Sequence, residues 1–238
     1  ATASTSTSLT LGVYDSASTN ADTTANIAGL AFTDVQALTI AMGANGIDSS
    51  ADLTGADLET VTVTGSGALD LNGNTITGDA TNRVTLDASA VEGIVTMALD
   101  GTSNAVATVS TGSAADAVTI SGISGATGGF DLSTNAGADT ITVTTAGDGA
   151  TASFAINGGT GSDTLRIADD VDLSDSTVSL TSVEILDFEE DGSVSSALVS
   201  GKSFIIDTDG STALDMTVVV DGTTVDLSSL AFATNAGE

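Results

Sequence analysis

Apolar residues alternate with small polar ones in short segments that return along the chain at a nearly constant interval. Aligned on their second apolar position, the segments form a ladder of Ile40, Val63, Leu86, Val109, Leu132, Ile156 and Leu180, in steps of 23, 23, 23, 23, 24 and 24 residues. Two residues before each lie Leu38, Val61, Val84, Ala107, Phe130, Phe154 and Val178. Between the members of each pair sit Thr39, Thr62, Thr85, Thr108, Asp131, Ala155 and Ser179. Apolar residues make up 41% of the chain. For one chosen register, fourteen apolar positions in a row therefore arise by chance about four times in a million. A period of two is that of a strand with one buried face.

A second ladder runs between the rungs of the first: Val95/Met97, Val118/Ile120, Ile141/Val143 and Leu165/Ile167. Each turn of about 23 residues thus carries two short strands separated by bends rich in Gly, Asn, Asp and Ser, the residues that tolerate tight turns. The pattern predicts an all-β fold, a right-handed parallel β-solenoid of the β-helix or β-roll kind. Successive turns stack as parallel strands, and seven rungs make a column about 29 Å tall. One turn cannot bury its own apolar residues, so the core exists only through stacking.

The regular register spans residues 35–190. Residues 1–34 read as an irregular β lead-in with one alternating strand, Leu9-Leu11-Val13. Residues 191–238 break the period, and Thr217 to Leu227 reads as a β-hairpin with Asp221-Gly222 as its two-residue turn. Neither a signal peptide nor a closing feature is visible at the ends, which reads as a piece of a longer chain.

Composition sharpens this picture. Among 238 residues, 32 are acidic and three basic, for a net charge of -29. Such a chain repels nucleic acid and anionic membrane surfaces and attracts divalent cations. It has no Cys or His, so neither a disulfide nor a Cys/His zinc site can form. No stretch approaches the roughly 20 apolar residues of a membrane span. Arg83, Arg166 and Lys202 are too scattered to hold an acidic substrate, and without His or Cys little is left for catalysis. The expectation is that the chain is not an enzyme.

The bends carry the remaining chemistry. Gly158-Gly159-Thr160-Gly161-Ser162-Asp163-Thr164-Leu165-Arg166 fits the calcium-binding nonapeptide Gly-Gly-x-Gly-x-Asp-x-apolar-x at every defined position. One turn earlier, residues 134–142 keep Gly137, Asp139 and Ile141. A further turn back, residues 111–119 keep Gly112, Asp116 and Val118. Asp116, Asp139 and Asp163 should therefore stack. Glycines let the backbone curl so that carbonyl oxygens turn inward, and calcium takes six to eight oxygen ligands. The candidate metal ligands are Asp163, Asp139 and Asp116, with the loop glycines Gly158, Gly159, Gly161 and Gly137, and the ion is Ca2+. For the two decayed copies the alternative is an Asx turn without an ion. The acidic run Glu184, Asp187, Glu189, Glu190 and Asp191 reads as a solvated face or as a surface for a cation or partner.

The nonapeptide resembles the repeats-in-toxin (RTX) proteins of Gram-negative bacteria. Phrases such as Leu58-Glu59-Thr60-Val61-Thr62-Val63 and Ser182-Val183-Glu184-Ile185-Leu186-Asp187-Phe188 are similar to their surface-layer and adhesin branch. The resemblance implies type I secretion, folding on meeting extracellular calcium, and assembly with identical copies in a cell-surface lattice anchored by another part of the chain. It also departs from the toxin-type pattern, because one nonapeptide per long turn implies calcium along one edge only. The function expected is a secreted, extracellular, calcium-binding structural protein of a bacterial surface layer. The alternative is a calcium-stabilised adhesin module binding ice or carbohydrate, suggested by the Thr60, Thr62, Thr64 and Thr140, Thr142, Thr144 arrays.

Overall fold

The computed structural model describes residues 7–13, 25–26, 30–48, 52–72, 76–78, 83–100, 106–121, 129–144, 153–168, 171–174, 177–189, 191–207, 216–220, 222 and 224–233. Almost all regular structure among them is parallel β. The coils stack into a β-solenoid of about seven turns, roughly 23 residues apart. The first face is an eight-stranded sheet from Ser8–Val13 through Ala37–Met42, Thr60–Gly65, Val84–Val91, Val106–Ser110, Phe130–Ser133 and Ser153–Asn157 to Thr177–Thr181. The second face is a ten-stranded sheet that includes Val95–Asp100, Ala117–Ser121, Thr140–Val143, Thr164–Ile167 and Ile185–Phe188.

Of the fourteen apolar positions in the first ladder, twelve are buried; Ala107 and Val178 are half-buried. Phe130 and Phe154 stack on adjacent turns with ring centroids 5.0 Å apart at 75°, an edge-to-face pair. The pairs of the second ladder are all buried. Between them the two inner faces fill a narrow core of Val, Ile, Leu, Phe and Met.

The central turns carry the expected two strands among the described residues, whereas the early and late turns carry a third. Leu30–Phe32, Leu53–Gly55 and Ile76–Thr77 form a third parallel sheet in the early turns. Val171–Leu173, Gly192–Ser195 and Met216–Val219 form another at the same place in the late turns. These strands have only two to four residues, too short for alternation to stand out from a bend.

The register also differs in three places, one of them at Val84, which lies opposite Val106 rather than Ala107. Leu86 lies opposite Val61 rather than Val63, and the pairing shifts again between Asp87 and Ala90. Asp87 Oδ1 accepts hydrogen bonds there from the Ser89 N–H at 3.0 Å and the Ser89 hydroxyl at 2.6 Å, giving the bulge a local partner. On the second face, Val118 and Ile120 lie opposite Met97 and Leu99 rather than Val95 and Met97. A slip of two residues keeps the same side chains inward, so alternation alone does not detect it.

The coil runs past both expected boundaries. Leu9, Leu11 and Val13 pair with Leu38, Ile40 and Met42, making the lead-in strand a further rung. At the other end, Ile205–Asp207 and Ala231–Phe232 extend the second face. The expected hairpin is replaced by coil: Met216–Val219 pairs in parallel with Gly192–Ser195, and residues 224–227 are not strand. Asp221, half of the expected turn, lies outside the described residues. A single helical turn, Ser196–Val199, packs against both Gly192–Ser195 and Thr177–Thr181, the last strand of the first face.

Phe154 is fully buried and faces Phe130 edge-on. Replacing it with Ala should cost about 3–5 kcal/mol, read as a lower urea midpoint at constant slope. A loss below about 1 kcal/mol is incompatible with the placement of this ring in the core.

Candidate functional site

The bends between the first and second faces bring Asp116, Asp139 and Asp163 into one column. Each sits just before a strand of the second face, and those strands pair Val118 with Ile141 and Ile141 with Leu165. The side chains are almost wholly enclosed, at 2%, 1% and 0% exposure.

Each Asp reaches back one turn and accepts a backbone N–H. Val95 N donates to Asp116 Oδ1 at 2.8 Å, Asp116 N to Asp139 Oδ1 at 2.8 Å, and Asp139 N to Asp163 Oδ1 at 2.9 Å. The main chain runs alongside, with Thr140 N donating to Asp116 O and Thr164 N to Asp139 O, both at 2.9 Å. The second oxygens are treated unequally. Asp116 Oδ2 accepts from Gly112 N at 3.1 Å. Asp139 Oδ2 and Asp163 Oδ2 are buried and receive no hydrogen bond.

Burial raises the pKa of all three carboxyls. Asp139 is pushed up to about 6, chiefly by desolvation, against the opposing Asp116 N–H and with help from the charges of Asp116 and Asp163. Desolvation likewise raises Asp116, opposed by the Thr111 hydroxyl and the Val95 and Gly112 amides. It raises Asp163 too, opposed by the Asp139 amide and reinforced by the charge of Glu184. The column is thus a line of like charges held by amide donors.

The glycines of the nonapeptide are needed for close stacking. A Cβ on Gly161 would lie 1.5 Å from Gly137 O, one on Gly159 1.8 Å from Asn135 O, and one on Gly137 2.1 Å from Ala114 O. All three have positive φ, at +148°, +95° and +139°, where L side chains are strained. The loops pair directly through main chain: Thr160 N donates to Asn135 O at 2.7 Å and Gly137 N to Thr160 O at 3.0 Å.

Two residues of the site were not singled out from the sequence. Thr111 and Thr134 are fully buried beside the column, and the Thr134 hydroxyl donates to Gly158 O at 2.9 Å. Each lies five residues before its Asp, a regularity that could have found them. Glu184, assigned to the acidic run, is instead the next link: its Oε2 accepts from Asp163 N at 2.9 Å. It lies 21 residues after Asp163, the interval that separates Leu165 from its partner Leu186.

The donor set is oxygen only and suits a hard cation such as calcium. The two undonated, buried carboxylate oxygens are the feature that such an ion would satisfy. Among the described residues no group of three or more Asp or Glu side chains gathers around one point. An ion here would therefore draw most of its ligands from loop carbonyls.

The raised carboxyl of Asp139 sets the pH response of the metal-free protein. Its folded pKa, about 6, exceeds its unfolded value near 3.8, so the folded state holds its proton more tightly. Stability is therefore greatest below the unfolded pKa and is lost as pH rises through the window from about 4 to 6. Metal-free protein should be on the order of 2 kcal/mol less stable at pH 7 than at pH 4 through this group alone. Asp139→Asn, which keeps an oxygen for the Asp116 amide, should flatten that part of the profile. Parallel pH profiles of melting for the two proteins would show that Asp139 is not held as described.

No protein-family model matches the chain, and neither a curated protein nor a solved structure is significantly similar to it, so function is read from the carboxylate column and the solenoid that carries it.

Proposed function

We propose that the chain is a secreted, calcium-binding structural segment of a bacterial surface layer, associating with copies of itself at the cell surface. The observation that carries this reading is the pair of buried carboxylate oxygens, Asp139 Oδ2 and Asp163 Oδ2, left without donors in a line of like charge. Asp116, Asp139 and Asp163 would supply the carboxylates, and the backbone around Gly137, Gly158, Gly159 and Gly161 the carbonyls. Bound calcium would neutralise the column, and because the column exists only in the folded coil, ion binding would favour folding.

The rest of the molecule supports a scaffold. Its three basic residues tie turns together. Arg83 Nη2 donates to Val106 O and Gly129 O on successive turns. Lys202 Nζ donates to Leu180 O at 3.2 Å, and Arg166 Nε to Asp187 Oδ2 at 2.7 Å. The role proposed is not catalytic. With a net charge of -29, identical copies repel unless cations screen or bridge them, which makes calcium the natural agent of assembly.

A second reading, carbohydrate binding, draws on a shallow groove of about 310 Å³ on the outer side of the first face, lined by Thr108, Ser110, Asp131, Ser133, Asn157 and Thr181 among others. The flat Thr arrays that would suit ice are interrupted: Thr62 lies between Thr39 and Asp87, and Thr142 between Thr119 and Arg166.

Calcium should raise the thermal midpoint of the protein in a concentration-dependent way. One site bound only in the folded state contributes about 2.7 kcal/mol at a hundred times its dissociation constant. Asp163→Ala should make that rise less steep. It also removes the acceptor of the Asp139 N–H, so the slope with calcium, rather than the midpoint itself, is the informative quantity. Superimposable slopes would sink the calcium reading. In millimolar calcium the wild type should form ordered sheets visible by electron microscopy. A protein that stays monomeric there while binding a glycan array favours the second reading.

A further inference from the structure

The complete nonapeptide loop is covered by a loop of a different kind. Asn157 pairs with Thr181 and Leu165 with Leu186, so residues 158–164 of one turn stack beneath residues 182–185 of the next. The upper loop is three residues shorter. It closes through Ser182, a non-glycine residue at φ +50°. The tight turn presses the Ser182 carbonyl against Gly158, where a Cβ would lie 2.0 Å from Ser182 O and 2.6 Å from Asp163 Oδ2. The two oxygens therefore border the same open side of Gly158.

Glu184 stands at the head of this loop in the place that Asp holds in the three turns below. Its N–H donates to Asp163 O at 3.1 Å, and its Oε2 accepts from Asp163 N at 2.9 Å. The longer side chain spans the gap that the shorter loop leaves, so the column keeps its pattern without the motif. Only Oε2 of Glu184 is engaged by the Asp163 amide, which leaves Oε1 for another partner. Below it, Asp163 is fully enclosed, and its Oδ2 receives no donor. At the top of the column, Asp163 Oδ2 and the Ser182 carbonyl thus share one side of Gly158, and the Glu184 carboxylate sits on the Asp163 amide.

We infer that Glu184 and the Ser182 carbonyl, both outside the nonapeptide, complete a divalent-cation site with Asp163 Oδ2 at the head of the column. Carboxylate and carbonyl ligands in an irregular loop suit calcium, which accepts varied geometry, better than magnesium, which demands a near-ideal octahedron. This inference rests on the calcium reading above and adds to it a ligand that the motif does not contain. It also gives the column a direction, since the ion is held where the coil turns from the motif-bearing loops to the short one.

The test is calorimetric titration of Ca2+ into the full chain, as wild type and as Glu184→Gln. Glutamine keeps an oxygen for the Asp163 amide but loses the charge. Glu184→Gln should bind about one ion fewer, or hold its tightest ion at least tenfold more weakly, while melting in chelator stays as in the wild type. A variant isotherm identical to that of the wild type overturns the site and leaves the calcium reading standing. A lower melting point in chelator with an identical isotherm does the same, and makes Glu184 a structural cap alone. A wild type that takes up no calcium removes both. Should Glu184→Gln fail to fold, Glu184→Asp retains the charge but draws the carboxylate back. It should weaken the tightest site, and an unchanged isotherm for that variant overturns the inference equally.

Discussion

The vertical spacing of a parallel β-coil, about 4.8 Å from one turn to the next, is the constraint on which everything else depends. At that distance each residue sits over its counterpart, so any property repeated once per turn becomes a column. Inward apolar positions become a continuous core, because one turn has too little apolar surface to bury by itself. Small residues in the bends become loops in backbone contact. Acids repeated once per turn become a line of like charges in an enclosed space, which is the costly consequence of the arrangement.

The molecule meets that cost with hydrogen bonds along the column. Asp116, Asp139 and Asp163 each use one oxygen to accept the amide one turn below, and Glu184 continues the series. This fixes the carboxylates between turns and supplies main-chain donors with charged acceptors, the stronger kind of hydrogen bond. It leaves Asp139 Oδ2 and Asp163 Oδ2 over. The coil is thus satisfied on its polar side only in part, and the remainder is the chemistry that the proposed cation would complete.

Glycine and the few basic residues act under the same spacing. Gly137, Gly159 and Gly161 face the carbonyls of the loop below at distances that leave no room for a Cβ, so these positions are set by stacking whether or not an ion is bound. Arg83, Arg166 and Lys202 each reach across turns to an oxygen. The chain has little positive charge to place, three basic residues against a net charge of -29, and it places these side chains between turns.

Alternation and interval were enough to read the coil from the sequence. Leu38/Ile40, Val61/Val63, Phe130/Leu132 and Phe154/Ile156 had to face inward because a strand's side chains alternate, and the recurrence of such pairs left stacking as the way to bury them. The Asp116, Asp139 and Asp163 column followed from the same interval. Register at Leu86 and Met97 was decided by tertiary structure, since a slip of two residues conserves the buried face and only bulges and loop lengths distinguish the alternatives. So were the short third strands and the coil beyond residues 35 and 190, where too few residues alternate to carry a signal. Contacts were decided there as well. A sequence places a carboxylate in a bend, but whether its oxygen meets an amide, a carbonyl or Glu184 of a shorter loop depends on how the next turn closes over it, which is a property of the stacked coil rather than of any one repeat.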